Sequence, residues 1–142
     1  MGKTKIPREL VAAYGETEYW VGEGPTAFCL RVDKHSPDLA QLLNESGQTC
    51  AAFVTAFNPF SDGQRAHTNH AAHEALRQEL ANCGAQVIDG TGRDASGDWP
   101  EESSFLAVGL SLATSKKVGN RFHQNAIVWS DSDAVPRLIL LR

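Results

Sequence analysis

The sequence predicts one α/β domain, close to the α+β class, in which a mixed β-sheet is flanked by helices. Three observations predict it. The chain has 142 residues, the usual length of a single domain. A continuous apolar run at 50–57 is typical of a strand buried on both faces. A strand, a helix and a strand then follow in succession up to residue 89. We expect one domain over residues 1–142, with its core from about residue 9.

The first half of the chain shows a helix, a hairpin and a second helix. A short helix is expected at 9–14, followed by two β-rich runs at 17–21 and 26–32. The Gly, Glu, Gly and Pro between these runs indicate a hairpin loop. The next helix begins at Ser36, because Ser, Pro and Asp there supply an N-cap, a first-turn proline and a first-turn acid. That helix ends near Gly47.

The second half begins with the buried strand at 50–57, which Asn58 and Pro59 end. A helix from about 69 to 83 carries an apolar stripe and is followed by a glycine. The strand at 85–89 completes a βαβ unit, whose two strands should run parallel. After these we expect a loop at 90–102, a strand at 104–110, a helix at 111–122, and strands at 125–129 and 137–141.

Composition and charge exclude several classes of protein. There are 13 basic and 17 acidic residues, a formal charge of −4, so the chain lacks the basic excess of nucleic-acid-binding proteins. No apolar run approaches the roughly 20 residues of a membrane span, and we expect no secretory leader, because no apolar stretch follows the first residues. Cysteines 29, 50 and 83 are widely spaced, which indicates thiols in a reducing compartment. We expect a cytoplasmic protein that binds neither nucleic acid nor membrane, and the sequence identifies no cofactor or protein partner.

Polar residues are predicted to meet at one edge of the sheet. The carboxyl ends of the strands at 50–57 and 85–89 share an edge, where open α/β sheets place their ligands. The loop that follows contains no helix, so the next strand should return antiparallel from that edge, and the strand near 125 should begin there. The segments expected to converge are 58–61, 91–94, 99–103 and 124–125.

Side chains on these segments are candidates for a ligand site. Glu101 would act as a catalytic base or hydroxyl acceptor, Arg93 would meet anionic charge, and Trp99 would stack on a ring. Neighbouring acids on an extended chain point to opposite faces, so at most one of Glu101 and Glu102 should serve the site. The amides of Asn58 and Gln124 would orient the ligand. The full set of candidates is Asn58, Ser61, Arg93, Asp94, Trp99, Glu101 and Gln124.

Each of these candidates also has a purely structural interpretation. Asn58 before Pro59 is typical of a turn, in which the asparagine bonds its own backbone. Trp99 could fill part of the core while the neighbouring acids face water. The acidic loop could be simply solvated, because its pattern does not match a calcium-binding loop. These alternatives stay open from the sequence alone.

Three motif-like patterns do not carry the chemistry they suggest. The run from Gly90 to Ala95 matches G-x-G-x-x-A, but no helix opens after it, which excludes a dinucleotide fingerprint. His67, His70 and His73 have ligand-like spacing without a metalloprotease order, so we expect a solvated helix face and no metal. Ser111 fits a helix N-cap better than a nucleophile.

Several strings occur in order along the chain: Thr55-Ala-Phe-Asn-Pro-Phe-Ser61, Trp99-Pro-Glu-Glu-Ser103 and Phe122-His-Gln-Asn-Ala-Ile-Val-Trp129, with Tyr14, Thr17, Tyr19 and Asn69. Together they resemble a family of small bacterial proteins known only as a domain of unknown function. The resemblance runs from about Tyr14 to Leu141. It departs from the pattern at Ser104, an added polar residue, and at His123, where the family pattern leads us to expect a glycine. It implies a bacterial cytoplasmic protein forming one domain, and it implies no activity.

The leading functional hypothesis is a small-molecule-binding protein, with or without catalysis. Its ligand would be nucleotide-like or another polar phosphorylated molecule, bound at the edge of the sheet where the four segments converge, which we call the rim. The alternative is a non-catalytic protein–protein interaction module. In that case Phe57, Phe60 and Trp99 would form an exposed apolar patch. A concave pocket with converging polar groups would favour the ligand, and a flat aromatic patch would favour the partner.

Overall fold

The computed structural model describes residues 4–58 and 66–142, which form helices on both faces of a curled seven-stranded sheet. The helices are α1 (Arg8–Glu16), α2 (Pro37–Ser46), α3 (Ala66–Asn82) and α4 (Leu112–Arg121). The strands are β1 (Glu18–Val21), β2 (Phe28–Leu30), β3 (Ala51–Val54), β4 (Gln86–Arg93), β5 (Glu102–Val108), β6 (Ala126–Ser130) and β7 (Arg137–Leu140).

The predicted α/β class and the flanking helices are confirmed, and the pairing inside the sheet differs from the mixed sheet expected. The strand order is β2-β1-β4-β5-β3-β6-β7, and every pairing between described strands is antiparallel. β3 and β4 do run in the same direction, but β5 lies between them and pairs with both. The loop after β4 contains no helix, so β5 returns antiparallel beside β4, and the other edge of β5 pairs with β3.

The two faces of the sheet pack against different helices. Leu106 and Val108 of β5 lie on one face, in a cluster with Leu39 and Leu43 of α2. The alternate β5 residues lie on the other face, among buried side chains of α3 and α4. This alternation is the period of two expected of a strand. Burial of each such Leu contributes about 1.5–3 kcal/mol.

The helix ends follow the sequence signals. Ser36 caps α2, with its Oγ accepting from the backbone N–H of Leu39 at 3.1 Å, and Gly47 ends that helix in the left-handed conformation with φ +66°. Ser111 caps α4 in the same way, accepting from Thr114 N at 3.2 Å. Each such cap contributes about 1 kcal/mol.

β4 extends to Arg93, beyond the predicted end at residue 89, and two glycines lie in the added part. Gly90 and Gly92 pair with β1 on one side and β5 on the other. A Cβ on Gly90 would lie 2.7 Å from Trp20 O and 2.9 Å from the Phe53 ring, so this position needs a residue without a side chain. Glycines in a strand usually mark such a close approach, and they made the segment resemble a loop. The connection between β4 and β5 is therefore only 94–101.

The histidines of α3 divide between solvent and core. His67 and His70 are exposed, as expected of a solvated face. The same expectation is wrong for His73, which is buried and stacks on Phe105 with ring centroids 4.1 Å apart. Positions 69, 73, 76 and 80 are separated by four, three and four residues, so they lie on one stripe of α3. This stripe faces the sheet, and two of its side chains are polar. The buried residues of this stripe are Asn69, His73, Leu76 and Leu80.

Candidate functional site

A cavity of about 340 Å³ lies between α1 and the face of the sheet that also packs against α2, at the end where β3 and β4 finish. Its walls are α1, the central strands and the loop at 94–101. Each of the four segments predicted to converge contributes described lining residues, and the segment 58–61 does so through Asn58. Lining residues from these segments are Asn58, Gly92, Asp94, Trp99, Pro100, Glu102, Gln124 and Asn125.

The structure places Glu102, and not Glu101, at this cavity. Glu102 begins β5 on the same face as Ser104, and both line the cavity. Glu101 instead pairs with Arg93, the Nε–Oε1 distance being 2.8 Å, and both side chains are about half exposed. The expectation that only one of the two acids faces the site agrees with this geometry. The arginine expected to meet an anionic ligand and the glutamate expected to act as base face each other outside the cavity.

Glu102 is held by two side-chain donors. Its Oε2 accepts from Asn58 Nδ2 at 2.8 Å and from Trp99 Nε1 at 3.1 Å. Burial raises the pKa of Glu102 above its ordinary value, and the hydrogen bonds from Trp99 and Asn58 oppose that rise only in part. Glu102 is therefore a carboxyl group whose charge is poorly solvated, a feature typical of binding and catalytic sites.

Asn58 reaches Glu102 because α3 holds it from behind. Its backbone N–H donates to Asn69 Oδ1 at 2.9 Å, and its Oδ1 accepts from Asn69 Nδ2 at 3.1 Å. Asn58 has φ +47°, a left-handed conformation that asparagine adopts more readily than most residues. The alternatives that the sequence leaves open for Asn58 are a turn and a ligand contact; in the structure its backbone is left-handed and its side chain bonds Glu102 and Asn69.

Trp99 forms the outer wall of the cavity and is 41% exposed, so it does not fill the core. Its backbone N–H donates to Asp94 Oδ2 at 3.0 Å, and Ser96 Oγ donates to the same oxygen at 2.7 Å. The bond from Ser96 is the main cause of a lowered pKa at Asp94. Asp94 therefore fixes the loop that carries Trp99.

Gln124 and Asn125 connect the start of β6 to its neighbours. Gln124 Nε2 donates to Phe57 O at 3.1 Å and to Phe122 O at 3.2 Å, which ties this strand to the end of β3. Asn125 Nδ2 donates to Tyr14 Oη at 2.9 Å, which ties it to α1. The two amides lie beside each other on the same rim as Asn58, as the topology predicts.

Two aromatic residues, Tyr14 and Tyr19, were not among the predicted site residues and line the cavity. Tyr19 Oη donates to Tyr14 O at 2.6 Å, and burial strongly raises the pKa of Tyr19. Tyr19 packs edge-on to Phe53, with ring centroids 5.2 Å apart. The alternation in β1 puts Tyr19 on this face, but the sequence gives no sign that α1 would cover it.

The remaining expectations concern an apolar patch and Ser61. Ser61 and Phe60 lie outside the described residues. Phe57 is half-buried, with its ring edge-on to His73 at 5.8 Å. Among the residues that the structure describes, the exposed large hydrophobic side chains are Trp99 and Leu140. The described part of the rim is thus a concave cavity with polar groups, and Phe57 does not extend the exposed surface of Trp99.

Within residues 4–58 and 66–142, no three His, Cys, Asp or Glu side chains are placed to hold a metal ion. No helix in this part of the chain is long and apolar enough to cross a membrane.

Residues 54–127, just over half of the chain, match a family described as "Protein of unknown function (DUF3293)". This match confirms the resemblance to a family of unknown function. The matched region contains every site residue predicted from the sequence, together with Glu102. No curated protein and no solved structure matches the chain.

Proposed function

Because the chain belongs to the DUF3293 family, whose function is not known, we propose a function from the site itself: the protein binds a small organic molecule in the cavity. The Glu102 carboxylate anchors the ligand, and the Trp99 ring covers it. Asn58 and Asn69 act as positioning residues that keep the carboxylate in place. The proposal holds whether or not the ligand then reacts.

The observation that carries this proposal is the cost of placing Glu102 where it is. Removing a carboxylate from water is unfavourable unless a cation or several hydrogen bonds compensate it. No Lys, Arg or His of the described residues forms an ion pair with Glu102. Two neutral donors reach one of its oxygens. Within the described residues, no cation stabilises the Glu102 charge, and a ligand that carries a hydrogen-bond donor would supply that compensation.

The size and lining of the cavity support a small ligand. A volume of about 340 Å³ lies within the range of roughly 300–1,000 Å³ that small-molecule sites occupy. Phe53, Tyr19 and Leu138 give it apolar walls, while Glu102 and Gln124 are convergent polar groups. Apolar walls with a few placed polar groups are the usual composition of such a site.

The same lining argues against the phosphorylated ligand that the sequence suggested. Arg93 is turned away and paired with Glu101. Among the described residues that line the cavity there is no lysine, arginine or histidine. A phosphate would thus lie beside the Glu102 carboxylate without a described cation to neutralise it. We therefore propose a ligand without a phosphate group.

A thermal-shift screen with three proteins tests the proposal: the wild type, Glu102→Gln and Glu101→Gln. The two substitutions are chemically identical and one residue apart, so Glu101→Gln is a matched control. A ligand at a hundred times its Kd should stabilise the fold by about 2.7 kcal/mol. We expect compounds that raise the Tm of the wild type and Glu101→Gln, with little effect on Glu102→Gln. Compounds that shift all three proteins equally, or no shift across the library, would contradict it.

A further inference from the structure

We propose that the ligand of this cavity is an organic cation, a primary ammonium group on an apolar or aromatic body. This inference rests on the proposed function and names the ligand class for the same site. It rests on a difference between the hydrogen-bonding groups at the cavity: most side-chain donors already have protein partners, whereas some acceptors do not.

The side-chain donors at the cavity are mostly engaged within the protein. Five hydroxyl groups and one indole N–H donate to protein oxygens at 2.6–3.1 Å, so these hydrogens are not offered to a ligand. They belong to Thr17, Tyr19, Thr55, Ser96, Ser104 and Trp99.

The side chains of Glu102 and Gln124 each keep an acceptor at the cavity that has no hydrogen bond from the described residues. Both hydrogen bonds to Glu102 reach Oε2, so its Oε1 accepts none from the described residues. The Nε2 group of Gln124 donates to two backbone carbonyls, which fixes the orientation of that amide. Its Oε1 accepts no hydrogen bond from the described residues. Both residues line the cavity.

This imbalance selects among ligand chemistries. An ammonium group carries three donors and no acceptor, which suits a site with open acceptors. A phosphate or carboxylate brings only acceptors, and few side-chain donors remain to meet it. An alcohol brings a single donor and uncharged oxygen lone pairs, so it pairs with fewer of the open groups.

Charge and aromatic rings favour the same class. Asp94, Asp98 and Glu102 contribute carboxylates to the lining, and the described lining residues include no lysine, arginine or histidine. The lining also includes the rings of Tyr14 and Trp99. An aromatic face attracts a cation, more strongly where water is excluded. A cation with an apolar body would therefore meet both the acidic and the aromatic parts of the wall.

The test is an NMR titration of the ¹⁵N-labelled protein with a matched set of probes: 2-phenylethylamine, 2-phenylethanol and phenyl phosphate. The amine is protonated at neutral pH and differs from the alcohol in the one group that should face Glu102. We expect it to shift the amides of the cavity lining and to bind at least about tenfold tighter than the alcohol, because hydrogen bonds to charged groups are stronger. Glu102→Gln should remove that preference, and Glu101→Gln should keep it.

A second readout needs no substitution. Affinity for the amine should rise with pH as Glu102 loses its proton, and it should fall with added salt. If the alcohol or the phosphate binds as tightly as the amine, or if the amine does not shift the lining, the cationic ligand is ruled out. Binding of a neutral probe at the lining would still leave the proposed small-molecule site standing, so the two failures are distinguishable. If Glu102→Gln binds the amine like the wild type, the anchor is wrong.

Discussion

The two faces of β5 differ in what covers them. On one face, Phe105 and Ala107 are fully buried against α3 and α4. On the other, Leu106 and Val108 pack in the α2 cluster, whereas Glu102 and Ser104 border a cavity. The helix over that second part is α1, which buries none of its own residues.

This difference shows how one strand supplies both a core and a site. Alternation along β5 assigns side chains to the two faces, and it does so equally at both ends of the strand. What distinguishes the cavity is the covering helix: α3 sends Leu76 and Leu80 into the core, and α1 has no buried residue to fill the space. The polar start of β5 lies under that helix.

The largest expected effect is the loss of packing on the filled face. Phe105→Ala should reduce the free energy of unfolding by about 3–5 kcal/mol, because it removes a fully buried ring and leaves a cavity. Leu10→Ala, on the α1 wall, should cost well under half as much, since Leu10 is only half-buried. Urea unfolding of both variants measures the contrast, and equal costs would mean that the two faces are equally packed.

A pair of glycines in β4 sharpens the comparison at the next level. Gly90→Ala should cost about 1–3 kcal/mol, because its Cβ would collide with Trp20 O and the Phe53 ring. At Gly92 the nearest atoms to a Cβ are at 3.9 and 4.0 Å, so Gly92→Ala should change stability by less than about 0.5 kcal/mol. Thermal unfolding distinguishes the two, and a tolerated Gly90→Ala would show that the sheet is less closely packed there.

Glu102→Gln should stabilise the free protein at neutral pH, by less than Gly90→Ala destabilises it. Burial raises the pKa of Glu102 above its value in the unfolded chain. Glu102 therefore makes its full favourable contribution to stability below its pKa in the unfolded chain. That contribution is lost as the pH rises through its pKa in the folded protein. The free energy of unfolding of Glu102→Gln, relative to the wild type, should therefore increase over the pH range between these two pKa values and then level off. Denaturation midpoints across that window measure it, and a variant destabilised at neutral pH would contradict a desolvated carboxylate.

The smallest expected effect is at the neighbouring acid. Glu101→Gln should change stability by at most about 1 kcal/mol, because its ion pair with Arg93 is solvent-exposed. Added salt should reduce even this difference. The same urea titration at low and high salt checks it, and a cost above that of a surface pair would mean that Glu101 has a larger structural role.

Much of this comparison could be predicted from the sequence. The caps at Ser36 and Ser111 follow from residue type, and the apolar run of β3 indicates a strand buried on both faces. The βαβ order predicts that β3 and β4 end at the same edge of the sheet, and the cavity lies at that edge. These features depend on local chemistry or on chain connectivity, both of which the sequence carries.

The rest depends on three-dimensional contacts that no local pattern encodes. Which of Glu101 and Glu102 faces inward is fixed by where β5 begins to pair, a matter of a single residue. The place of β5 between β3 and β4 depends on competition among strands. His73 is buried because Phe57 and Phe105 flank its ring. A helical plot of α3 that includes polar residues would have placed Asn69 and His73 on the inner stripe.

The most direct test is the titration of the Glu102 side-chain carboxyl carbon by NMR, in the free protein and with 2-phenylethylamine bound. In the free protein, Glu102 should titrate above its ordinary value of 4.5 because it is buried. The bound ammonium should lower that pKa by favouring the charged form. A Glu102 that titrates at the ordinary value, with no change when the amine is added, would contradict both the desolvated anchor and the ligand assigned to it.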